Sequence, residues 1–274
     1  TAMDTHTLLT PAAALKARLV PPSKAAGPSL QVSWARSESE VREAQALRYQ
    51  VFAKEMGARL QTPPGAPAGL DVDLFDAFCE HLLVRAQTED GEPGPVVGAY
   101  RVLTPAAAKR AGGLYSDTEF DLTRLRGMRS RLAEIGRSCV HMNYRSGATI
   151  ALLWSGIFRY MQMHGYQYII GCASVGMADG GLNAVAIYRR LAANSLSPVE
   201  YRTFPRCELP LDAYTEATVE SKLPPLIRGY LKVGAYVCST PAWDPDFNTA
   251  DLMMMLPMAR IDPRYPRHFL RDTV

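Results

Sequence analysis

Leu132-Ala-Glu-Ile-Gly-Arg-Ser-Cys-Val-His141 runs through Met142-Asn-Tyr-Arg-Ser-Gly-Ala-Thr149 into a segment with apolar residues at 150, 153, 154, 157 and 161. The first ten residues are mostly apolar and read as a buried strand, and the later spacing is that of an amphipathic helix. Glu134 and Arg137 are ionised groups in this strand, where charge is expensive unless paired or used. Three apart in a regular strand, they point to opposite faces. Gly136 between them permits a bulge, which changes that parity and pries the strand from its neighbour. In the turn Arg145-Ser-Gly-Ala-Thr149, small residues leave backbone N–H groups free at the positive end of a helix dipole, where an anion is favoured. Tyr166 to Val175 reads as the next strand, so the nucleus is strand, small-residue turn, helix, strand.

Towards the N-terminus, Leu30, Val32 and Trp34 alternate with smaller or polar residues as in a half-buried strand. Ser37 and Glu40 then form a capping box ahead of a helix with apolar positions at 41, 44, 47, 51, 52 and 56, closed by Gly57. Residues 60–70 hold three prolines and two glycines and read as a long functional loop. His81–Ala86 and Val96–Leu103 flank Glu89-Asp-Gly-Glu-Pro-Gly94 as an antiparallel hairpin. Beyond the nucleus, the pattern predicts helices at Leu182–Leu191 and after Pro224-Pro225, and strands near Val199–Phe204, Ala235–Cys238 and Asp251–Leu256. Without repeats or a composition break, residues 29–274 read as one α/β domain with a mixed sheet, preceded by a mobile arm over 1–28.

Composition narrows the function classes. The chain has 274 residues, 47% of them hydrophobic, and 30 Lys+Arg against 27 Asp+Glu give a net charge of +3, which excludes a dedicated nucleic-acid binder. Only 13 uncharged residues separate Arg145 from Arg159, short of the ~17–25 a membrane span needs. Five cysteines without a Cys-x-x-Cys spacing argue against a disulfide framework and a zinc site, and read as reduced thiols of a cytoplasmic protein.

Further residues stand out chemically. Arg48 lies inside the apolar stripe of its helix, so it needs an anion unless it snorkels at the edge. Asp73 and Asp76, among Phe75, Phe78 and Cys79, want a cation between them: Arg48, Arg101 or a cationic substrate. Cys139 and His141 share a strand face, as a thiol nucleophile and base would, although a buried thiol is commonly a small hydrophobe. Pro241–Asp251 reads as a loop or as the wall of an acyl tunnel.

The series Arg48-Tyr-Gln-Val-Phe52, Asp73-Leu-Phe-Asp76, Gly98-Ala-Tyr-Arg-Val-Leu103 and Glu134-Ile-Gly-Arg137 resembles the acyl-homoserine lactone synthases of the acetyltransferase (GNAT) superfamily. Glu134–His141 with Tyr144-Arg145, Leu223-Pro-Pro-Leu-Ile-Arg-Gly-Tyr-Leu231 and Asp246-Phe-Asn-Thr-Ala-Asp251 resemble more closely the ornithine-lipid N-acyltransferases, over residues 34–270.

The resemblance implies a GNAT fold whose sheet splays to admit acyl-pantetheine as a surrogate strand. It also implies transfer of a 3-hydroxyacyl group from acyl carrier protein to the α-amine of ornithine, with no metal or resident cofactor. Glu134 and Arg137 become the expected catalytic residues. Arg48, Phe52, Asp73, Phe75, Asp76, Arg101, Ser138 and Cys139 become the acceptor side, and Val140, His141, Tyr144, Arg145, Ser146, Gly147, Ala148 and Thr149 the acyl-phosphopantetheine side. Superfamily members usually carry Arg-x-x-Gly-x-Gly, whereas Arg145 here is followed by glycine two residues later. That shortened loop suits the single phosphate of a carrier-protein donor.

The alternatives are an acylase of another amino acid, a signal synthase using S-adenosylmethionine, and a non-enzymatic lipid-binding or haemolysin-like protein. Arg260, Arg264, Arg267 and Arg271 against Asp262 and Asp272 suggest peripheral contact with an anionic membrane, at the inner face where a cytoplasmic enzyme would deliver a lipid.

Overall fold

Eight strands build the central sheet, and the apolar periods of the sequence place most of them. In the computed structural model, residues 29–214 and 220–262 are described. The arm expected at 1–28 and the tail residues Arg264, Arg267, Arg271 and Asp272 lie outside them. In chain order the strands are β1 Leu30–Trp34, β2 Glu80–Gln87, β3 Pro93–Leu103, β4 Phe120–Asp121, β5 Leu132–Val140, β6 Tyr168–Gly176, β7 Phe204–Pro205, β8 Tyr236–Val237, β9 Ala242–Asp244 and β10 Thr249–Pro257. The helices are α1 Glu38–Arg48, α2 Pro105–Ala111, α3 Gly147–His164, α4 Leu182–Ser195 and α5 Pro225–Lys232. The sheet runs β1-β2-β3-β5-β6-β10-β8, with β9 also on β10, while β4 and β7 pair separately. Every pairing in the central sheet is antiparallel except β5 with β6.

Successive residues of each strand serve opposite faces of the sheet. Val102, Ala133, Ile135, Leu252 and Met254 pack with α3, α4 and α5. Leu103, Leu132, Ile170, Met253 and Met255 pack with α2 and the chain around 114–128 on the other side. Leu83, Ala99 and Cys139 join that second face where α1 covers it.

The structure refines the sequence reading in two places. The segment read as a strand near Val199–Phe204 is a single 3₁₀ turn, Val199–Tyr201, and only Phe204–Pro205 pairs, with Phe120–Asp121. Pro198 and Pro205 bracket it, and proline cannot donate to a ladder. The first helix has the expected cap, the Ser37 hydroxyl accepting from Glu40 N–H. Past Arg48 it widens into a π-helical stretch, Tyr49–Glu55, in which Met56 N–H reaches back to Val51. Such widened turns often mark functional sites, and this one turns Phe52 and Glu55 towards a cavity.

Candidate active site

The parallel pairing of β5 with β6 covers only Leu132–Glu134 against Tyr168–Ile170, and beyond it the strands part. The separation begins beside a bulge: Ala99 pairs with Cys139 and Arg101 with Gly136, so β5 carries one residue more than β3 over this span. The expected bulge therefore forms, but its left-handed residue is Arg137, at φ 54°, rather than Gly136. A non-glycine residue held there costs of order 1–2 kcal/mol, which surrounding contacts must offset.

Those contacts are ionic. Arg48, only 1% exposed at the end of α1, donates to Asp71 (Nε–Oδ2 2.8 Å) and with two nitrogens to Asp76 (2.8 and 2.7 Å). Arg101 on β3 bridges Asp73 at 2.7 Å and Asp76 at 2.9 Å. Arg137 spans Asp71 and Asp73, each at 3.2 Å. Three guanidinium groups thus balance three carboxylates. Arg48 and Arg101 hold the Asp76 carboxyl well below its usual range against the opposing effect of burial.

Arg48, Asp73 and Asp76, expected to bind acceptor, do not line the cavity and are committed to one another. They instead fix Arg101 and Arg137, which do line it. The Arg137 guanidinium also stacks 4.8 Å from the Phe247 ring centroid and packs near Phe52 and Tyr115.

The cavity, of about 520 Å³, passes through the sheet where β5 and β6 part. Tyr100, Ile135, Ile150 and Leu226 wall it on the α3 and α5 side, and Phe75, Cys79, Leu103 and Cys172 on the other. Phe52, Ser138, Cys139 and Val140 line it, and so does the exposed Arg145. Arg145 is paired with Glu55, so its charge is partly offset.

The N-terminus of α3 begins beside Arg145. Ser146 makes no side-chain cap, and Ser146, Gly147 and Ala148 are exposed, leaving the first N–H groups open. Thr149, expected on the acyl-phosphopantetheine side, is fully buried: its hydroxyl donates to Tyr144 O at 2.9 Å, and a Cβ on Gly98 would meet its methyl at 2.8 Å. His141 and Tyr144 do not line the cavity; they pack edge to face beside the turn, and the His141 ring accepts from Asn143 N–H.

Glu134 lines the cavity on the face away from α3, and is 4% exposed. Its carboxylate accepts from Tyr115 N–H at 2.7 Å, from Ser116 N–H at 2.8 Å and from the Ser116 hydroxyl. Burial pushes its pKa up, and these donors oppose that push. The same bonds tether the 3₁₀ turn Tyr115–Thr118 to β5. Cys139 and Cys79 are pushed up to about 12 by burial, and Cys172 is also well raised, so none is poised as a thiolate.

Sequence reasoning missed Asp71, Tyr115 and a trio of carboxylates. In the β9–β10 hairpin, Asp244 opposes Thr249 and Asp251 follows two residues on, so all three share one face. The Thr249 hydroxyl donates to Asp251 at 3.0 Å. Glu119 meets them from the loop ahead of β4, and oxygens of the three lie within 4.8 Å of one another. Burial and Asp251 push the Glu119 carboxyl up to about 9. The available signal was Asp251 in its quoted motif and the Pro241–Asp251 segment, which is indeed cavity wall, contributing Asp244, Phe247, Thr249 and Asp251.

A mixed sheet that splays at its one parallel pairing, with a helix N-terminus beside the gap, defines a GNAT-type acyltransferase. Residues 47–155 match the family model described as an acetyltransferase (GNAT) domain. Among solved structures, the fold resembles FeeM, an N-acyl amino acid synthase from uncultured soil microbes (TM-score 0.52, 12% identity, 85% of this chain and 92% of that one). It also resembles the CoA-dependent acyl-homoserine lactone synthase BjaI (TM-score 0.51, 13% identity, 89% and 90%). The chain is 36% identical over 255 residues to the L-ornithine N(alpha)-acyltransferase of Rhizobium meliloti, covering 89% of this chain and 85% of the relative. It is 35% identical to that of Brucella abortus, covering 88% and 89%. The chain belongs to the L-ornithine N(alpha)-acyltransferase family.

Proposed function

We propose that this chain transfers a 3-hydroxyacyl group from the phosphopantetheine of acyl carrier protein to the α-amine of ornithine, making the lyso-ornithine lipid of the first step of ornithine lipid synthesis. The observation that carries the reading, beside family membership, is the through-sheet cavity. It lets a flat thioester arm lie between β5 and β6 from the α3 side while an amine approaches Glu134 from the other.

Glu134, directly or through one water, takes one proton from the α-ammonium and passes it to solvent. The freed amine attacks the thioester carbonyl, and backbone N–H groups of the splayed β5 stabilise the oxyanion. The C–N bond forms, the C–S bond breaks, and a second ammonium proton leaves on the pantetheine sulfur. A thioester is already activated and the thiols are protonated, so direct transfer needs no acyl-enzyme. Arg137, pinned by Asp71 and Asp73, shapes the acceptor side.

The open N–H groups of Ser146–Ala148 suit one phosphate, and Arg145 beside them suits an acidic carrier. None of the helices among the described residues is long and apolar enough to cross a membrane. The lipid product is consistent with peripheral delivery at an anionic surface, aided by Arg260 and the basic residues beyond 262. The donor is tested by comparing 3-hydroxyacyl carrier protein with the matching coenzyme A thioester as ornithine is acylated. We expect kcat/KM at least about tenfold higher with the carrier protein, and that advantage should shrink in Arg145→Glu as salt is raised. Equal kcat/KM for both donors in wild type and variant would contradict the carrier-protein assignment.

A further inference from the structure

We infer that the paired hydroxyls of Tyr100 and Tyr230 read the 3-hydroxyl of the acyl chain and so set a preference for 3-hydroxyacyl over unsubstituted acyl donors; this rests on the acyl-transfer reading above. The first argument is an unspent donor. The two phenol oxygens lie 3.1 Å apart, and neither hydroxyl makes another hydrogen bond among the described residues. Two hydroxyls joined by one hydrogen bond spend one proton on each other and leave the second without an acceptor. When Tyr230 donates, that second proton belongs to Tyr100, the member of the pair that lines the cavity. Tyr100 is 3% and Tyr230 1% exposed, so the spare donor is shut away from bulk solvent. A buried donor without an acceptor is costly, and a guest oxygen in the cavity supplies one.

The second argument is the setting of the pair. Ile135, Ile150 and Leu226 share this wall of the cavity with Tyr100 and suit a hydrocarbon chain. Trp154 packs edge to face on both phenol rings, with centroids 6.1 Å from Tyr100 and 4.9 Å from Tyr230, and so fixes where the hydroxyls stand. Burial pushes both phenols above the ordinary tyrosine range, which keeps each a protonated donor.

The third argument is position. Glu134 and Ile170 are the last residues paired between β5 and β6, so Ile135 and Gly171 are the step at which the gap opens. A Cβ on Gly171 would stand 3.2 Å from the Tyr230 hydroxyl. Tyr100 lies on β3 across from the bulge, between the pairings of Ala99 and Arg101. The hydroxyl pair therefore stands where the thioester is read to lie. A 3-hydroxyl is carried on the second carbon past the thioester carbonyl, and a group that recognises it must stand beside the gap rather than farther along the path of the chain.

A saturated acyl carrier protein of the same chain length, lacking only the 3-hydroxyl, isolates the interaction. In wild type, kcat/KM with ornithine should be about tenfold or more higher for the 3-hydroxyacyl donor, the worth of one buried hydrogen bond. Tyr100→Phe and Tyr230→Phe keep the rings and remove the hydroxyls. Each, checked for a native circular-dichroism spectrum and melting transition, should lower that ratio at least about fivefold, through a greater loss with the hydroxylated donor. An equal loss with both donors would mark the hydroxyls as structural, or as serving the thioester itself, and overturn the inference. Calorimetric binding of the two acyl-pantetheine thioethers, with and without the 3-hydroxyl, needs no turnover. A preference for the hydroxylated thioether that the variants lose supports the assignment even if no ornithine is acylated, in which case the acylation reading falls alone. A wild type that binds both thioethers equally overturns the inference, and so does a preference that survives both substitutions.

Discussion

Arg48 shows how one side chain organises a wall of the cavity without lining it. Removing it would leave Asp71 and Asp76 buried with their main partner gone, a loss of ~3–5 kcal/mol for a broken buried pair. Its need for an anion was legible because a cation stood at helical spacing inside an apolar stripe. Asp71 was not legible, since nothing in a loop sequence says which carboxylate folds back onto α1. The trio was hidden for a related reason: Glu119 lies far along the chain from Asp244 and Asp251, and only the fold brings them together. Glu119 also makes a pH prediction. Its ordinary value of 4.5 rises to about 9 in the folded protein, so the native state holds a proton that the unfolded state releases. That contribution is complete below 4.5 and is lost as pH climbs towards 9. The melting temperature of wild type should fall across this window, and Glu119→Gln should fall less; parallel curves would show that Glu119 titrates normally.

At the scale of elements, the bulge on β5 and the gap beside it are the decisive features. Gly136 announced a bulge, and the bulge is there, but the ion pairs of Arg137 with Asp71 and Asp73 hold Arg137 itself in the left-handed conformation. Sequence spacing cannot reveal which residue absorbs the strain when the compensating partners lie in a distant loop. The widening of α1 at Tyr49–Glu55 was equally silent, because its apolar positions fit an ordinary helix as well. On the opposite side of the gap, Gly171 of β6 approaches Ile135 so closely that a Cβ would lie 2.6 Å from the Ile135 carbonyl oxygen. Backbone cannot yield as a side-chain tip can, so Gly171→Ala should force β6 away from β5 just where the parallel pairing ends. Overpacking of this kind costs ~1–3 kcal/mol. Chemical denaturation should report a loss in that range, and an unchanged midpoint would mean that the strands accommodate the methyl by sliding.

For the whole molecule, the order strand, helix, hairpin, strand, helix, strand was readable because each period matched its element and no composition break intervened. What the sequence could not convey was that the cavity is lined from both faces of the sheet. That arrangement brings Arg145 of the turn after β5 and the carboxylates of β9 and β10, far apart in the chain, to one cavity. The most direct measurement is mass spectrometry of the product formed by the purified protein from ornithine and 3-hydroxyacyl carrier protein, with Glu134→Gln alongside. The account predicts an amide on the α-nitrogen, formed ~10²–10⁴-fold more slowly by the folded variant. Acylation of the side-chain nitrogen, no amide at all, or a folded Glu134→Gln protein working at the wild-type rate would contradict it.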